Sequence, residues 1–384
     1  MGEAEFQFTE ALAAAERALG AELGGEVALG RPEVLRDATR CVVARCRVRA
    51  AAPAPATVVV KALRDDAATG FTEWASLLFL ADQPGAAGVA PRLLAGDVAR
   101  RVMVLEDLGA GETLEDVLGG HSPRRAFAAL RGLAGAMARL HIADGEERFA
   151  AIRAAFPAAA GLGRGAEAER WLAGRPAIEA WLAATGVPAP RGLGGCMERL
   201  AATYAEPGPW LRFTHGDPAP SNNHLARGVA RLVDFEYGGF RHALYDIAAW
   251  NTLCPLPRPA LRAMLRTFRA VLAETLPEAA DDAAFRREWA AMCAFRALAI
   301  LMWVSPAVLD ADRPWVGEWT ARGAVLAGLR RLRSVAAGAG ELAPVAEAAA
   351  GLVRALDSRW GELAARRDLT PRWPALERAG PAKP

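Results

Sequence analysis

Three β-prone runs follow one another near the start of the chain: EVLRD from residue 33, CVVARCRV from residue 41 and TVVVKAL from residue 57. Only the turn Asp37-Ala38-Thr39-Arg40 and a Pro/Ala loop at 50 to 56 separate them. Connections this short leave no room for a crossover helix, so three consecutive strands imply an antiparallel sheet. Ahead of them, Phe8, Leu12, Ala15 and Leu19 recur at helical spacing over about residues 5 to 20, and Gly24 with Gly25 marks the exit. Behind them, TEWASLLFLAD predicts a helix with Thr72 as a candidate cap, and PRLLAGDV and RVMVLEDLG supply two further strands. The expectation is a five-stranded antiparallel sheet with a helix.

Beyond Gly109 the pattern changes. Thr113 with Asp116, and Ser122 followed by Pro123, are helix starts, and ALRGLAGAMARLHIA is a long amphipathic helix. Residues 143 to 210, rich in Gly, Ala and Pro, read as helices joined by loose loops, and 257 to 366 as Ala/Leu/Arg helices before a Pro-containing tail. Within this helical part, WLRFTHGD and ARLVDFEYGG read as an inserted β pair. The chain is thus expected to be α+β, with a sheet-bearing lobe at 1–108 and a larger, mainly helical lobe at 109–384.

With 384 residues, 53% of them hydrophobic, the chain can bury one large core or two lobes without disulfides or metals. The net charge is +2 and the basic residues form no block, which argues against nucleic-acid binding. Five cysteines without a CxxC pair suit a reducing compartment. The opening MGEAEFQFTE has no apolar signal region, so a cytoplasmic location is expected. The longest apolar stretch, near Ala297 to Val304, is about half of the roughly 20 residues that span a bilayer.

Of 46 Lys and Arg residues only Lys61 and Lys383 are lysine, so Lys61 marks a position that Arg would not serve. Asparagine is as scarce: Asn222, Asn223 and Asn251. Two of these stand in Thr214-His215-Gly216-Asp217-Pro218-Ala219-Pro220-Ser221-Asn222-Asn223, and Asp234-Phe235-Glu236 follows. Taken singly, either string is also what a capped turn produces. Together they hold what phosphoryl transfer needs: a carboxylate to orient a hydroxyl, and oxygen ligands to hold Mg²⁺ on a triphosphate.

HGDPAPSNN with LVDFEYGG resembles the signatures of aminoglycoside phosphotransferases and choline kinases, distant relatives of protein kinases. The resemblance implies a two-lobed protein-kinase-like fold and an ATP- and Mg²⁺-dependent transfer to a hydroxyl of a small molecule. It implies Asp217 as the catalytic residue, His215 as the residue holding its loop, Asp246 as a brace below, and Asn222 and Asp234 as magnesium ligands, with Asn223 the competitor in register. It further implies that Lys61 contacts the α and β phosphates and pairs with Glu73, and that Glu106-Asp107-Leu108-Gly109 is the hinge. Backbone groups of Glu106 and Leu108 would then meet adenine. The turn Leu35-Arg36-Asp37-Ala38-Thr39-Arg40 departs from the family pattern by lacking glycine, which leaves Thr39 to cover the phosphates. DFEY followed by YDIA looks more like the choline kinase form, although the Gly of HGD does not.

The acceptor is less legible. An aminoglycoside or other antibiotic, an amino-sugar-like metabolite, choline or ethanolamine all fit, as does a regulatory protein that binds nucleotide without transfer. Trp250, Trp303, Trp315 and Trp319 suit either a cation-π site or core packing. Glu146, Glu147, Asp281 and Asp282 suit either a cationic substrate or ordinary solvation. His224 and His242 read as surface or loop residues.

Overall fold

The computed structural model describes residues 3–51, 53–64, 67–142, 144–156, 163–316, 319–366 and 369–377. Lys383 lies outside them. In chain order the elements begin with α1 (Glu3–Leu23), β1 (Val27–Leu29), β2 (Glu33–Asp37), β3 (Cys41–Ala50), β4 (Thr57–Leu63), α2 (Ala67–Ala81), β5 (Leu93–Asp97) and β6 (Val102–Glu106). Then come α3 (Leu114–Gly119), α4 (Pro123–Leu140), α5 (Glu146–Ala154), α6 (Arg164–Ala173), α7 (Arg175–Ala184), α8 (Leu193–Ala205), β7 (Leu211–Thr214), β8 (Asn223–Ala226), β9 (Val229–Leu232) and β10 (Gly239–His242). The last part holds α9 (Tyr245–Thr252), α10 (Arg258–Leu272), α11 (Asp282–Trp303), β11 (Pro314–Val316), β12 (Trp319–Thr320), α12 (Ala321–Ala336), α13 (Ala343–Arg359) and two single-turn helices, α14 (Gly361–Ala364) and α15 (Pro374–Glu377). None of the described helices is long and apolar enough to cross a membrane.

The chain forms two compact units. The first comprises residues 1–111, 145–161 and 231–239, and the second the remainder. In the first, the sheet runs β1-β3-β4-β6-β5 with β2 paired on β3, all antiparallel. Where run lengths predict five strands, six form: β1 is only three residues long, too short for any periodicity to show. Alternation along β4 sends Val58 and Val60 into a core with Ala11, Ala15 and Leu19 of α1, and sends Lys61 to the opposite face. The second helix starts at Ala67, and Thr72 lies inside it as an ordinary helical residue whose Oγ1 donates to Ala68 O at 3.1 Å. The apolar stripe begins only at Phe71 and Trp74, so the Ala-rich first turn carries no periodic signal.

The second unit is mainly helical, and α11 is buried along most of its inner length. The two apolar runs expected to pair with each other have separate partners: β7 pairs with β10, and β8 with β9. The reason is local. Arg227 and Gly228 both adopt positive φ, 49° and 80°, the two-residue turn that returns a chain directly onto the preceding strand.

Candidate active site

In the first unit Lys61 sits on a central strand, opposite Val43 of β3 and Met103 of β6. Its side chain is 9% exposed, and Nζ donates to Glu73 Oε2 at 2.5 Å and to Asp234 Oδ1 at 2.7 Å. Burial alone would drive the proton off the ammonium, but Glu73 and Asp234 outweigh it and hold the lysine charged, above its ordinary range. Asp234 adopts φ 68°, a left-handed backbone that non-glycine residues rarely take. A Cβ on Gly238 would come within 2.2 Å of Ser76 Oγ, so the segment lies directly on α2, where Ser76 Oγ also donates to Thr72 O and Phe235 O.

The turn after β2 reaches the same segment through arginines rather than through Thr39. Arg36 Nη1 lies 3.6 Å from Asp234 Oδ2, and Arg40 Nη2 donates to Glu236 Oε1 at 2.7 Å. Burial, reinforced by the Asp234 charge, lifts the Glu236 carboxyl above its ordinary range against the pull of Arg40. Thr39 is exposed and its side chain makes no hydrogen bond among the described residues. Sequence reasoning missed Arg36 and Arg40; the sole signal was two arginines flanking a turn that lacks glycine.

At the end of β6, the Glu106 carboxylate accepts from Arg92 N (3.2 Å) and Arg231 Nη1 (3.1 Å), and its own N–H donates to Arg92 O. Burial raises the Glu106 pKa, but these donors outweigh it and the net shift is downward. Asp107, named in the sequence only as part of the hinge string, accepts from Arg45 Nε (2.8 Å) and Gly109 N (2.9 Å), which ties the segment to β3. Leu108 is half-buried, and its backbone has no hydrogen-bonded partner among the described residues.

In the second unit, Asp246 is fully buried in the first turn of α9, and its two oxygens accept the N–H of His215 (2.7 Å) and of Gly216 (3.0 Å). Gly216 has φ 86°, which turns the chain there at no steric cost. The buried His215 accepts the Asp217 N–H at Nδ1, 3.3 Å away. Asn222 Nδ2 donates to Asp217 O at 3.0 Å and to Asp217 Oδ2 at 3.2 Å. Asn223 is engaged elsewhere: Nδ2 donates to Pro220 O and Oδ1 accepts Leu114 N, both at 2.8 Å, which fixes the start of α3. One carboxylate is therefore held on a braced turn.

Several of the remaining candidates are spent on structure. His242 is not a surface residue: it is fully buried on β10, Nδ1 accepts Leu244 N (3.1 Å) and Nε2 meets Glu288 Oε2 (3.1 Å), so both nitrogens are satisfied. His224 is half-buried on β8. Trp250 is core at 1% exposure, Trp303 is 51% exposed, and Trp315 already carries the Arg313 guanidinium at 5.7 Å; Trp319 is half-buried. Asp281 caps α11 through Ala284 N (2.6 Å), and Asp282 pairs with Arg269 (2.6 Å). Glu146 and Glu147 form the first turn of α5. No cluster of three or more His, Cys, Asp or Glu suited to a metal occurs among the described residues.

Among solved structures, the chain is similar to macrolide 2'-phosphotransferase MphH from Brachybacterium faecium, at 17% identity over 89% of this chain and 98% of that one, with a TM-score of 0.46. It is similar to a choline/ethanolamine kinase family protein from Mesorhizobium loti, at 18% identity over 85% and 93%, TM-score 0.40. Choline kinase LicA from Streptococcus pneumoniae aligns at 13% identity over 81% and 93%, TM-score 0.44. No curated protein matches the chain. The profile of the phosphotransferase enzyme family matches residues 44–295, more than half of the chain and a span that includes Lys61, Glu73, Asp217, Asn222 and Asp234. By that match the chain belongs to the phosphotransferase enzyme family.

Proposed function

We propose that this phosphotransferase moves the γ-phosphoryl group of ATP to a hydroxyl of a small molecule. The observation that carries the reading is the pairing of Lys61, the sole lysine among the described residues, with both Glu73 and Asp234. A compact ammonium between two carboxylates suits the α and β phosphates, where a planar guanidinium would be misdirected. Lys61 and Glu73, within 1–108, belong to the nucleotide part, and the backbone of Leu108 beside Glu106, without a partner among the described residues, would meet adenine. Arg36 replaces Thr39 as the cation covering the phosphates.

The donor chemistry fits magnesium, which favours one or two hard oxygen ligands plus phosphate oxygens and water. Asp234 and the Asn222 amide oxygen would supply them, and bound magnesium would neutralise charge on the transferring group. Asp217 orients the acceptor hydroxyl and takes its proton. The hydroxyl oxygen bonds to the γ-phosphorus as the bond from phosphorus to the β–γ bridging oxygen breaks, and ADP leaves. His215 and Asp246 position Asp217 and touch no reacting atom.

The test measures ATP consumption over aminoglycosides, amino sugars, choline, ethanolamine and hydroxy acids, with Asp217→Asn alongside. That variant should keep its thermal shift with Mg·ATP and lose turnover by about 10³-fold or more. Full activity in Asp217→Asn would overturn the mechanism.

A further inference from the structure

Arg296 lies on α11 at 6% exposure. Its guanidinium carbon stands 4.1 Å from the centre of the Tyr245 ring, its Nε is buried without an acceptor, and no carboxylate or hydrogen-bond acceptor meets the group among the described residues. Arg241 lies over the same ring at 5.6 Å and is equally buried, yet it donates to both oxygens of Glu167 (2.8 and 2.6 Å) and to Tyr204 Oη (3.0 Å). The contrast isolates Arg296. A guanidinium whose Nε is held out of water with nothing to receive its proton is costly, and the rare buried donors left in that condition mark a place for an ion or ligand.

Its position says which ligand. Tyr245 opens α9, and the next residue is Asp246, whose carboxylate holds the backbone of His215 and Gly216 immediately before Asp217. Arg296 therefore rests on the residue adjoining the brace of the catalytic turn. The half-buried Tyr245 ring supports one face of the guanidinium, which leaves the in-plane N–H fork free to grip two oxygens at once.

We propose that Arg296 is the anion-recognition residue of the acceptor site, so that the hydroxyl-bearing acceptor also carries an oxyanion, a carboxylate or a phosphate. A cationic acceptor would meet an uncompensated like charge there. The word acceptor rests on the phosphotransferase reading; anion binding at Arg296 does not.

The experiment follows the thermal midpoint of the full chain and of Arg296→Met and Arg296→Lys, alone and with inorganic phosphate, D-glycerate, choline or Mg·ATP. Wild type should be stabilised saturably by phosphate or glycerate and not by choline, and the larger of the two shifts tells phosphate from carboxylate. Arg296→Met should have a midpoint no lower than wild type without anion, since an unpaired buried charge is gone, and at least tenfold weaker anion binding. Arg296→Lys should bind the anion weakly and supplies the comparison if Arg296→Met does not fold. Mg·ATP should shift all three proteins equally. An anion shift that survives both substitutions, or wild type stabilised by choline and by neither anion, overturns the proposal. Absence of a Mg·ATP shift with the Arg296-dependent anion shift intact would instead remove the phosphotransfer mechanism and leave the anion site standing.

Discussion

Asn222 reaches back to Asp217 and donates through one amide nitrogen to both its backbone carbonyl, at 3.0 Å, and its carboxylate, at 3.2 Å. Asn222→Ala should therefore lower kcat by roughly 10²-fold, because the carboxylate loses the donor that aims it. Asn223→Ala removes a buried amide that bridges Pro220 O and Leu114 N, and should cost about 1–3 kcal/mol of stability. Steady-state kinetics with urea denaturation of both variants separates the two roles; equal loss of kcat with equal stability would contradict the assignment.

Removing the Lys61 ammonium takes from Glu73, which is 2% exposed, the cation that donates to it at 2.5 Å. Lys61→Met should destabilise the protein by about 3–5 kcal/mol, and adding Glu73→Met should recover most of that loss while activity stays absent. Denaturation of the single and double variants checks it. Additive losses would show that the pair is not coupled.

His141 sets an acid limit. Both ring nitrogens are buried without a partner among the described residues, and its ring stands edge-on to Phe268 at 5.3 Å. Burial, with Arg212 and His242 adding positive charge, lowers its pKa from 6.5 to about 4 despite the nearby Asp246. Below pH 6.5 the unfolded chain takes up the proton first, so stability holds above that pH and falls by up to about 3 kcal/mol as pH drops to 4. His141→Leu should flatten this slope in denaturation measured between pH 4 and 7. An unchanged slope would place the acid sensitivity elsewhere.

What could be read from sequence was the part carried by local periodicity and by rare residue types. Alternation along β3 and β4 marked the sheet, and lysine and asparagine stood out because the chain hardly uses them. Long-range choices were not legible: Arg40 pairs with Glu236, 196 positions away, and no local pattern encodes that in a chain so rich in arginine. His242 is buried because Glu288, 46 residues on, satisfies it. The partner of β7 was hidden for the same reason, and the start of α2 because alanines carry no stripe. Asn222 and Asn223 are equivalent as letters; only their hydrogen bonds separate them.

Asp234 meets Lys61 from 173 positions further along the chain. During synthesis the sheet and α2 emerge early, yet the lysine waits for its second counter-charge until residues 231–239 have left the ribosome. A truncation after residue 108 would keep the ammonium and Glu73 but discard the Asp234 carboxylate that meets the ammonium at 2.7 Å. Residues 1–108 are therefore no portable module, and grafting or expressing them separately should yield a fragment without the full set of partners around Lys61.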